Sequence, residues 1–310
     1  MRTAIFGTGG AGGYFGAHLA LAGEDVVFIA RGEHLRAIQQ NGLILEIDGV
    51  EKIAKGVATD NPGSVGKVDV ILMGVKTWQL ADAARSMLPM MHADTFVIPL
   101  QNGVEAASDL AEIVGEIRSV NGTCNTITRI VGPGRLRSMG PVNFLRFGEC
   151  DNRKSDRVIR FRDMVVNAGV RAEIPDDIQL AVWKKFCFAG GCGGISAAGR
   201  APAGVFRSVP ETRELLARSI AEVVALGRAM DVNLDENQVN ETLAFADSLA
   251  YESTPSLLRD IAAGKPSELE AWTGAVVRLA RKYGVSTPVA DAVYALLLPQ
   301  ELKARGAITC

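Results

Sequence analysis

Arg2-Thr3-Ala4-Ile5-Phe6-Gly7-Thr8-Gly9-Gly10-Ala11-Gly12 is a short, mostly apolar run followed at once by a glycine-rich turn. Gly13-Tyr14-Phe15-Gly16-Ala17-His18-Leu19-Ala20 then reads as a helix, and Asp25-Val26-Val27-Phe28-Ile29-Ala30 as a second strand. The order strand, G-x-G-x-x-G turn, helix, strand is that of one mononucleotide-binding unit. Each glycine has a separate duty in this reading. Gly7 permits the tight turn, Gly9 lets the backbone approach a pyrophosphate, and Gly12 lets the helix pack close to the sheet. The N–H groups at the helix start face the diphosphate, so the expected cradle is Gly7, Thr8, Gly9, Gly10, Ala11 and Gly12.

The residue that ends the second strand selects the nucleotide. An NAD-binding unit commonly places Asp or Glu there to bind the ribose 2′-hydroxyl. This chain has Arg31, within Ala30-Arg31-Gly32-Glu33-His34. A guanidinium cannot accept from a hydroxyl but can clamp a 2′-phosphate through two parallel N–H bonds. The expected cofactor is therefore NADP(H), with Glu33 assigned to the following helix.

At 310 residues the chain suits two domains, and 48% hydrophobic with 22% charged residues is ordinary for a globular protein with a sizeable core. The net charge is −2, and lysines and arginines are dispersed. That excludes an obvious nucleic-acid or anionic-membrane surface. No apolar run reaches the eighteen or so residues of a membrane span. The first strand begins at once, so no signal peptide is expected. Cys124, Cys150, Cys187, Cys192 and Cys310 form no C-x-x-C pair and no metal-ligand spacing, so no metal is expected. Reduced thiols in the cytoplasm are the expectation, buried in all cases but the terminal Cys310. His18, His34 and His92 are the three histidines, and none is placed to protonate a substrate.

Further along, residues 33–41 look helical, and Asp48-Gly49 between Leu43–Ile47 and Glu51–Ile53 is a two-residue hairpin signal. Val68–Met73 and Thr95–Ile98 read as buried parallel strands, separated by a helix from about Trp78 to Leu88. A helix over 104–114 follows. From Thr126 to Gly148, Gly132-Pro133-Gly134 and Gly140-Pro141 punctuate short β pieces, which predicts antiparallel strands added to the sheet edge. Residues 155–167 form a last crossover helix. The domain boundary is placed at Pro175, giving an α/β Rossmann-type domain over 1–174 and an all-α domain over 175–310, with a ligand cleft between them. In the second domain Arg213–Met230 is amphipathic, Thr254-Pro255 and Thr287-Pro288 start helices, Gly264 and Gly284 stop them, and Ser267-x-x-Glu270 reads as a capping box.

Four further stretches line up with chemistry. Lys76-Thr77-Trp78-Gln79 and Leu100-Gln101-Asn102-Gly103 each follow a strand, on the carboxyl edge where ligands bind. Trp183-Lys184-Lys185 lies in the first helix of the second domain, and Ser256 and Glu268 lie near the starts of two consecutive later helices. Together with Phe6-Gly7-x-Gly through Gly16 and Phe28–Leu35, these motifs resemble the ketopantoate reductase (2-dehydropantoate 2-reductase) family across nearly the whole chain. The resemblance implies a helical second domain like that of 6-phosphogluconate dehydrogenase. It also implies reduction of a 2-oxo acid to a 2-hydroxy acid in pantothenate biosynthesis, with NADPH as cofactor.

Carried over by position, the resemblance puts the general acid on Lys185, the active-site carboxylate on Glu268 and a substrate-binding hydroxyl on Ser256. It puts a cofactor and substrate contact on Asn102, the NADPH phosphate end on Arg31, Lys76 and Gln79, and a nicotinamide neighbour on Thr128. Glu268 could also hold a cofactor hydroxyl. The chemistry is intelligible by itself, because a hydride reaching a 2-oxo carbon leaves an alkoxide that must be protonated as it forms. Bland readings stand beside these. Lys184 competes with Lys185, Glu268 could be a first-turn acid, Asn102-Gly103 a plain turn, and Ser256 first-turn polarity.

The chain departs from the family where asparagines would line the substrate: those positions are Ala189, Gly193, Ala203 and Ser253. The run Ala189-Gly190-Gly191-Cys192-Gly193-Gly194 is expected to break or pinch its helix and open the pocket, each glycine costing about 1 kcal/mol relative to Ala. A larger or less hydroxylated 2-oxo acid would then fit as well as ketopantoate, with Arg200 as a carboxylate anchor. The alternatives are a non-enzymatic NADP(H) sensor, or an imine or opine-type reductase. The expected partner is a small molecule, and a homodimer is the candidate assembly.

Overall fold

The computed structural model of the chain describes residues 1–140 and 143–308, so Pro141 and Cys310 lie outside the described residues. The chain forms two compact units, Met1–Gln101 with Ala106–Ile178, and Asn102–Glu105 with Gln179–Cys310.

Unit 1 contains, in chain order, β1 (Thr3–Phe6), β2 (Val26–Ile29), β3 (Leu43–Ile47), β4 (Val50–Ala54), β5 (Val57–Thr59), β6 (Val68–Met73), β7 (Met91–Pro99), β8 (Asn121–Asn125), β9 (Thr128–Gly132), β10 (Arg135–Ser138), β11 (Phe144–Gly148) and β12 (Arg171–Glu173). Its helices are α1 (Gly10–Leu21), α2 (Gly32–Asn41), α3 (Leu80–Met87), α4 (Ala106–Val114) and α5 (Asp156–Asn167). A five-stranded sheet has the order β5-β2-β1-β6-β7 with every pairing parallel. The strand pleat sends alternate residues to opposite faces. Ile5, Phe28, Leu72 and Ile98 enter one apolar cluster, while Phe6, Ile29, Met73 and Val97 enter another.

The β pieces after Thr126 do not simply extend this sheet. β9 and β10 join the β3–β4 hairpin in a second sheet, ordered β4-β3-β10-β9. The hairpin leaves one edge of β3 open, and β10 fills it in parallel, with Leu45 opposite Leu136 and Arg137 bonded to Glu46 at 2.9 Å. The hairpin turn itself is as expected, with Asp48 and Gly49 at φ 50° and 78°. β8, β11 and β12 form a third sheet, joined to β7 through one parallel bridge, Val97 to Ser119.

Unit 2 is helical: α6 (Ile178–Gly199), α7 (Ala203–Ser208), α8 (Pro210–Ala229), α9 (Gln238–Ser248), α10 (Ser256–Ala262), α11 (Thr273–Tyr283) and α12 (Pro288–Ala304). Gly264 and Gly284 adopt the left-handed conformation that ends a helix, and Pro288 opens α12 behind Thr287. α6 does not break at its glycines. Residues 189–197 are all buried, and the missing side chains let neighbouring elements come close. A Cβ at Gly191 would lie 2.9 Å from Ile220 Cγ1 and 3.1 Å from Ile220 Cα, and one at Gly193 or Gly194 would overlap Trp272 or Thr273. Packing offsets the conformational cost of the glycines. No capping box forms at Ser267. Its N–H and hydroxyl both go to Glu301, whose carboxylate is 2% exposed, and Glu270 pairs with Arg278. Among the described residues no helix is long and apolar enough to cross a membrane.

Candidate active site

In unit 1 the residues of the glycine turn meet at the carboxyl end of β1. Gly7 has φ +99°, and a Cβ there would lie 2.7 Å from Val75 N, so only glycine fits. A Cβ on Gly12 would overlap Gly7 O and come within 3.1 Å of Ile5, while one on Gly10 would overlap Thr128 O. Gly9 differs: nothing lies within 4 Å of its absent side chain. Gly9 caps α1 without any side-chain hydrogen bond, and the first turn of α1 carries no acid. The start of α1 therefore presents uncapped N–H groups and positive dipole beside open space, which fits a diphosphate. Thr8 points inward, its hydroxyl donating to Ile29 O at 3.1 Å, so Thr8 and Ala11 can offer only backbone to a ligand at this turn.

Two side chains that sequence reading left without a role hold this edge. His34 Nε2 donates to Thr8 O at 2.8 Å, while its Nδ1 accepts from Gly134 N at 3.1 Å. That pair of bonds fixes a neutral tautomer, and burial pushes the imidazole below its ordinary 6.5. Gln101 is 5% exposed and donates to Met73 O at 2.9 Å and Val75 O at 2.8 Å, tying the ends of β6 and β7 together. Its position directly before Asn102-Gly103 was the available signal.

Arg31 is exposed at the N-cap of α2, and among the described residues its guanidinium has no ion-pair partner. Glu33 lies in the first turn of α2, facing Arg36 at 3.9 Å. Lys76 and Gln79 occupy the short turn after β6, where Lys76 N donates to Gln79 Oε1 at 3.3 Å and Lys76 Nζ sits 5.8 Å from the Trp78 ring. The hydroxyl of Thr128 lies within hydrogen-bonding distance of Thr126 and Ser138.

In unit 2 the two adjacent lysines separate. Lys184 is exposed and pairs with Glu241 at 3.3 Å. Lys185 is half-buried, and its Nζ donates to Asn102 Oδ1 at 2.8 Å. The Asn102–Glu105 segment is seated on the helices: Gly103, at φ +113°, would place a Cβ 2.9 Å from Ala271 O, and Glu105 pairs with Arg278 at 2.7 Å. Glu268 is 7% exposed, and its carbonyl accepts from Ala271 N and Trp272 N, each at 3.1 Å. The neighbouring Ser267 is locked by Glu301, which also takes Arg305 Nε at 2.6 Å. Ser256 is the first residue of α10.

The positions that depart from the asparagine pattern fall into two groups. Ala189 and Gly193 lie on α6 one and two steps beyond Lys185, with Trp272 over Gly193. Ala203 and Ser253 meet each other, the amide of Ala203 donating to Ser253 O at 2.9 Å. Arg200 has φ 51°, and its guanidinium reaches Gln300 at 3.3 Å on the exposed side of α12. Cys187 and Cys192 are buried, and burial pushes both thiols up to about 12.

Comparison with known proteins converges on one family. Residues 3–152 match the family model described as Ketopantoate reductase PanE/ApbA, and residues 177–301 match its C-terminal counterpart. A 2-dehydropantoate 2-reductase of Mesorhizobium japonicum is 30% identical, covering 96% of this chain and 97% of its own. A PanE/ApbA family ketopantoate reductase from Ralstonia eutropha superposes with a TM-score of 0.90 at 28% identity, over 98% of this chain and 100% of that one. A D-mandelate dehydrogenase solved with NADH and anilino(oxo)acetate shares the fold, with a TM-score of 0.90 at 24% identity over 98% and 99% of the two chains. Matched over both halves, the chain belongs to the ketopantoate reductase family of oxidoreductases.

Proposed function

We propose that this chain is an NADPH-dependent reductase that converts a 2-oxo acid into a 2-hydroxy acid. The observation that carries the reading is the 2.8 Å hydrogen bond from Lys185 Nζ to Asn102 Oδ1. It fixes the direction of a half-buried ammonium. An ammonium so held can hydrogen-bond the 2-oxo oxygen, polarise the carbonyl and give it a proton as negative charge develops. Glu268, buried and next in the chain to Ser267, is the carboxylate that orients the substrate or a cofactor hydroxyl, and Ser256 is a further substrate donor. The cofactor contacts in unit 1 would be the backbone of Gly7–Gly12 with Thr128, Lys76 and Gln79, and Asn102 is read as a further contact to cofactor and substrate. When bound, NADPH supplies the hydride. The reading of NADPH over NADH rests on Arg31, an exposed guanidinium at the end of β2 where a carboxylate would be needed for a ribose hydroxyl. In this division of labour residues 1–174 bind the nucleotide and residues 175–310 supply the acid. The cysteine count and spacing support a cytoplasmic setting for the reaction.

The test follows NADPH consumption over a panel of 2-oxo acids. Turnover is expected, and Lys185→Ala should lower kcat by about two to four orders of magnitude with NADPH affinity unchanged. Near-normal turnover in that variant would remove Lys185 from the chemistry. Tight NADPH binding with no turnover of any 2-oxo acid would favour a sensor instead.

A further inference from the structure

We infer that His34 is a positioning residue for the dinucleotide. Its imidazole sets the plane of the Thr8–Gly9 peptide, and so the aim of the Gly9 N–H, in the turn that takes the diphosphate. The inference rests on the reading of Gly7–Gly12 as that cradle and concerns unit 1 alone. Thr8 O can only accept and Gly134 N can only donate. So Nε2, 2.8 Å from the first, carries the proton, and Nδ1, 3.1 Å from the second, is bare. Ile29 O receives the N–H groups of Gly7 and Thr8, each at 3.2 Å, and the Thr8 hydroxyl at 3.1 Å. Those bonds hold Thr8 from its amino side and leave its carbonyl to His34.

A planar trans peptide turns its C=O and its N–H to opposite sides, and among the described residues no peptide bond is cis. An oxygen pinned toward α2 therefore points the Gly9 N–H away from α2. Gly13 N bonds back to Gly9 O at 2.8 Å, and the amides ahead of it, from Gly9 to Gly12, are those a diphosphate can take. Glycine at position 9 has no Cβ to resist rotation of the preceding peptide plane, so the bond from His34 supplies the restraint. The same ring reaches the β9–β10 hairpin. Gly134, at φ +66°, is seated on α2, where a Cβ would lie 2.9 Å from Ala37 Cβ. At the base of that hairpin Thr128 O abuts the start of α1, where a Cβ on Gly10 would overlap it. One imidazole thus ties the turn both to α2 and to the hairpin that borders α1.

Binding titrations with NADPH and with NADH, run well below the melting temperature, test the role. His34→Leu keeps apolar bulk and removes both bonds, so it should raise both dissociation constants by about tenfold, the scale of one hydrogen bond. An equal factor for the two cofactors is the signature of their shared diphosphate. Weakening confined to NADPH would put the effect on Arg31 and its end of α2, and would overturn the inference. Unchanged constants with only a lower melting temperature would make His34 a purely structural residue and overturn it too. His34→Gln can donate to Thr8 O and accept from Gly134 N, so it should recover most of the lost affinity. A glutamine variant as weak as the leucine one overturns the role of the bonds. If His34→Leu does not fold, His34→Asn, too short to reach Thr8 O, carries the same test. A parent protein that binds neither dinucleotide overturns the cradle reading, and the inference with it.

Discussion

Two glycine-rich stretches carry this molecule, and they use glycine for opposite ends. In the Gly7–Gly12 turn the absent side chain of Gly9 leaves open space beside the start of α1. In the Gly190–Gly194 run of α6 the absent side chains are replaced by Ile220, Trp272 and Thr273, pressed against the helix backbone. The first stretch gives a ligand access to N–H groups, and the second removes space that a ligand could have used. Glycine density alone does not separate a cradle from a packing seam. The neighbours of each missing Cβ do.

Substitutions should expose that difference. Gly193→Ala puts a methyl into the indole of Trp272, so stability should fall by up to about 3 kcal/mol while NADPH affinity holds. Thermal unfolding and a cofactor titration on the same variant check it, and an unchanged melting temperature breaks the comparison. Arg31→Ala should weaken NADPH binding about thirtyfold, the scale of lost charge-assisted hydrogen bonds, and leave NADH binding and stability alone. Parallel titrations with the two cofactors decide that. Gly9→Ala meets nothing in the protein, so its melting temperature should stay within about 0.5 kcal/mol equivalent of the parent. Its NADPH dissociation constant should rise about tenfold, roughly 1.4 kcal/mol. A Gly9→Ala protein that binds normally would mean that the open space is incidental.

The smallest effect concerns pH. The first stretch leans on a neutral imidazole, since His34 Nε2 donates to Thr8 O, whereas the glycines of α6 pack on Ile220, Trp272 and Thr273, none of which titrates near neutrality. Burial lowers the His34 pKa in the folded chain below 6.5. Above 6.5 the imidazole is neutral folded or unfolded, and its contribution is fully present. As pH falls from 6.5 toward the lowered value the unfolded chain binds the proton first, and stability declines. His18 is lowered by burial as well and adds in the same direction. A melting temperature that drops below pH 6.5, with a shallower slope in His34→Asn, is the expected result.

Local signals were legible in the sequence, and distant partners were not. The β-α-β opening, the Asp48-Gly49 hairpin and the glycine stops at 264 and 284 each depend on a few neighbouring residues, and each appears where the residues put it. The pairing of β10 with β3 joins residues some ninety positions apart and has no local mark. The same holds for Ser267, whose capping pattern yields to a buried carboxylate at Glu301, and for α6, whose poor propensity is overridden by helix packing. Of the candidate site, residue types and edges could be read. The separation of Lys185 from Lys184 needed the Asn102 and Glu241 contacts, and the continuity of α6 through its glycines needed Trp272.

The seating of Trp272 on Gly193 has a consequence for how this seam can vary. The two positions share one volume, so neither can change size alone without strain or a void. A bulkier residue at 193 becomes tolerable only after the indole has been traded for something smaller. Change at this seam should therefore arise through paired exchanges at 193 and 272, with the order of the two steps constrained.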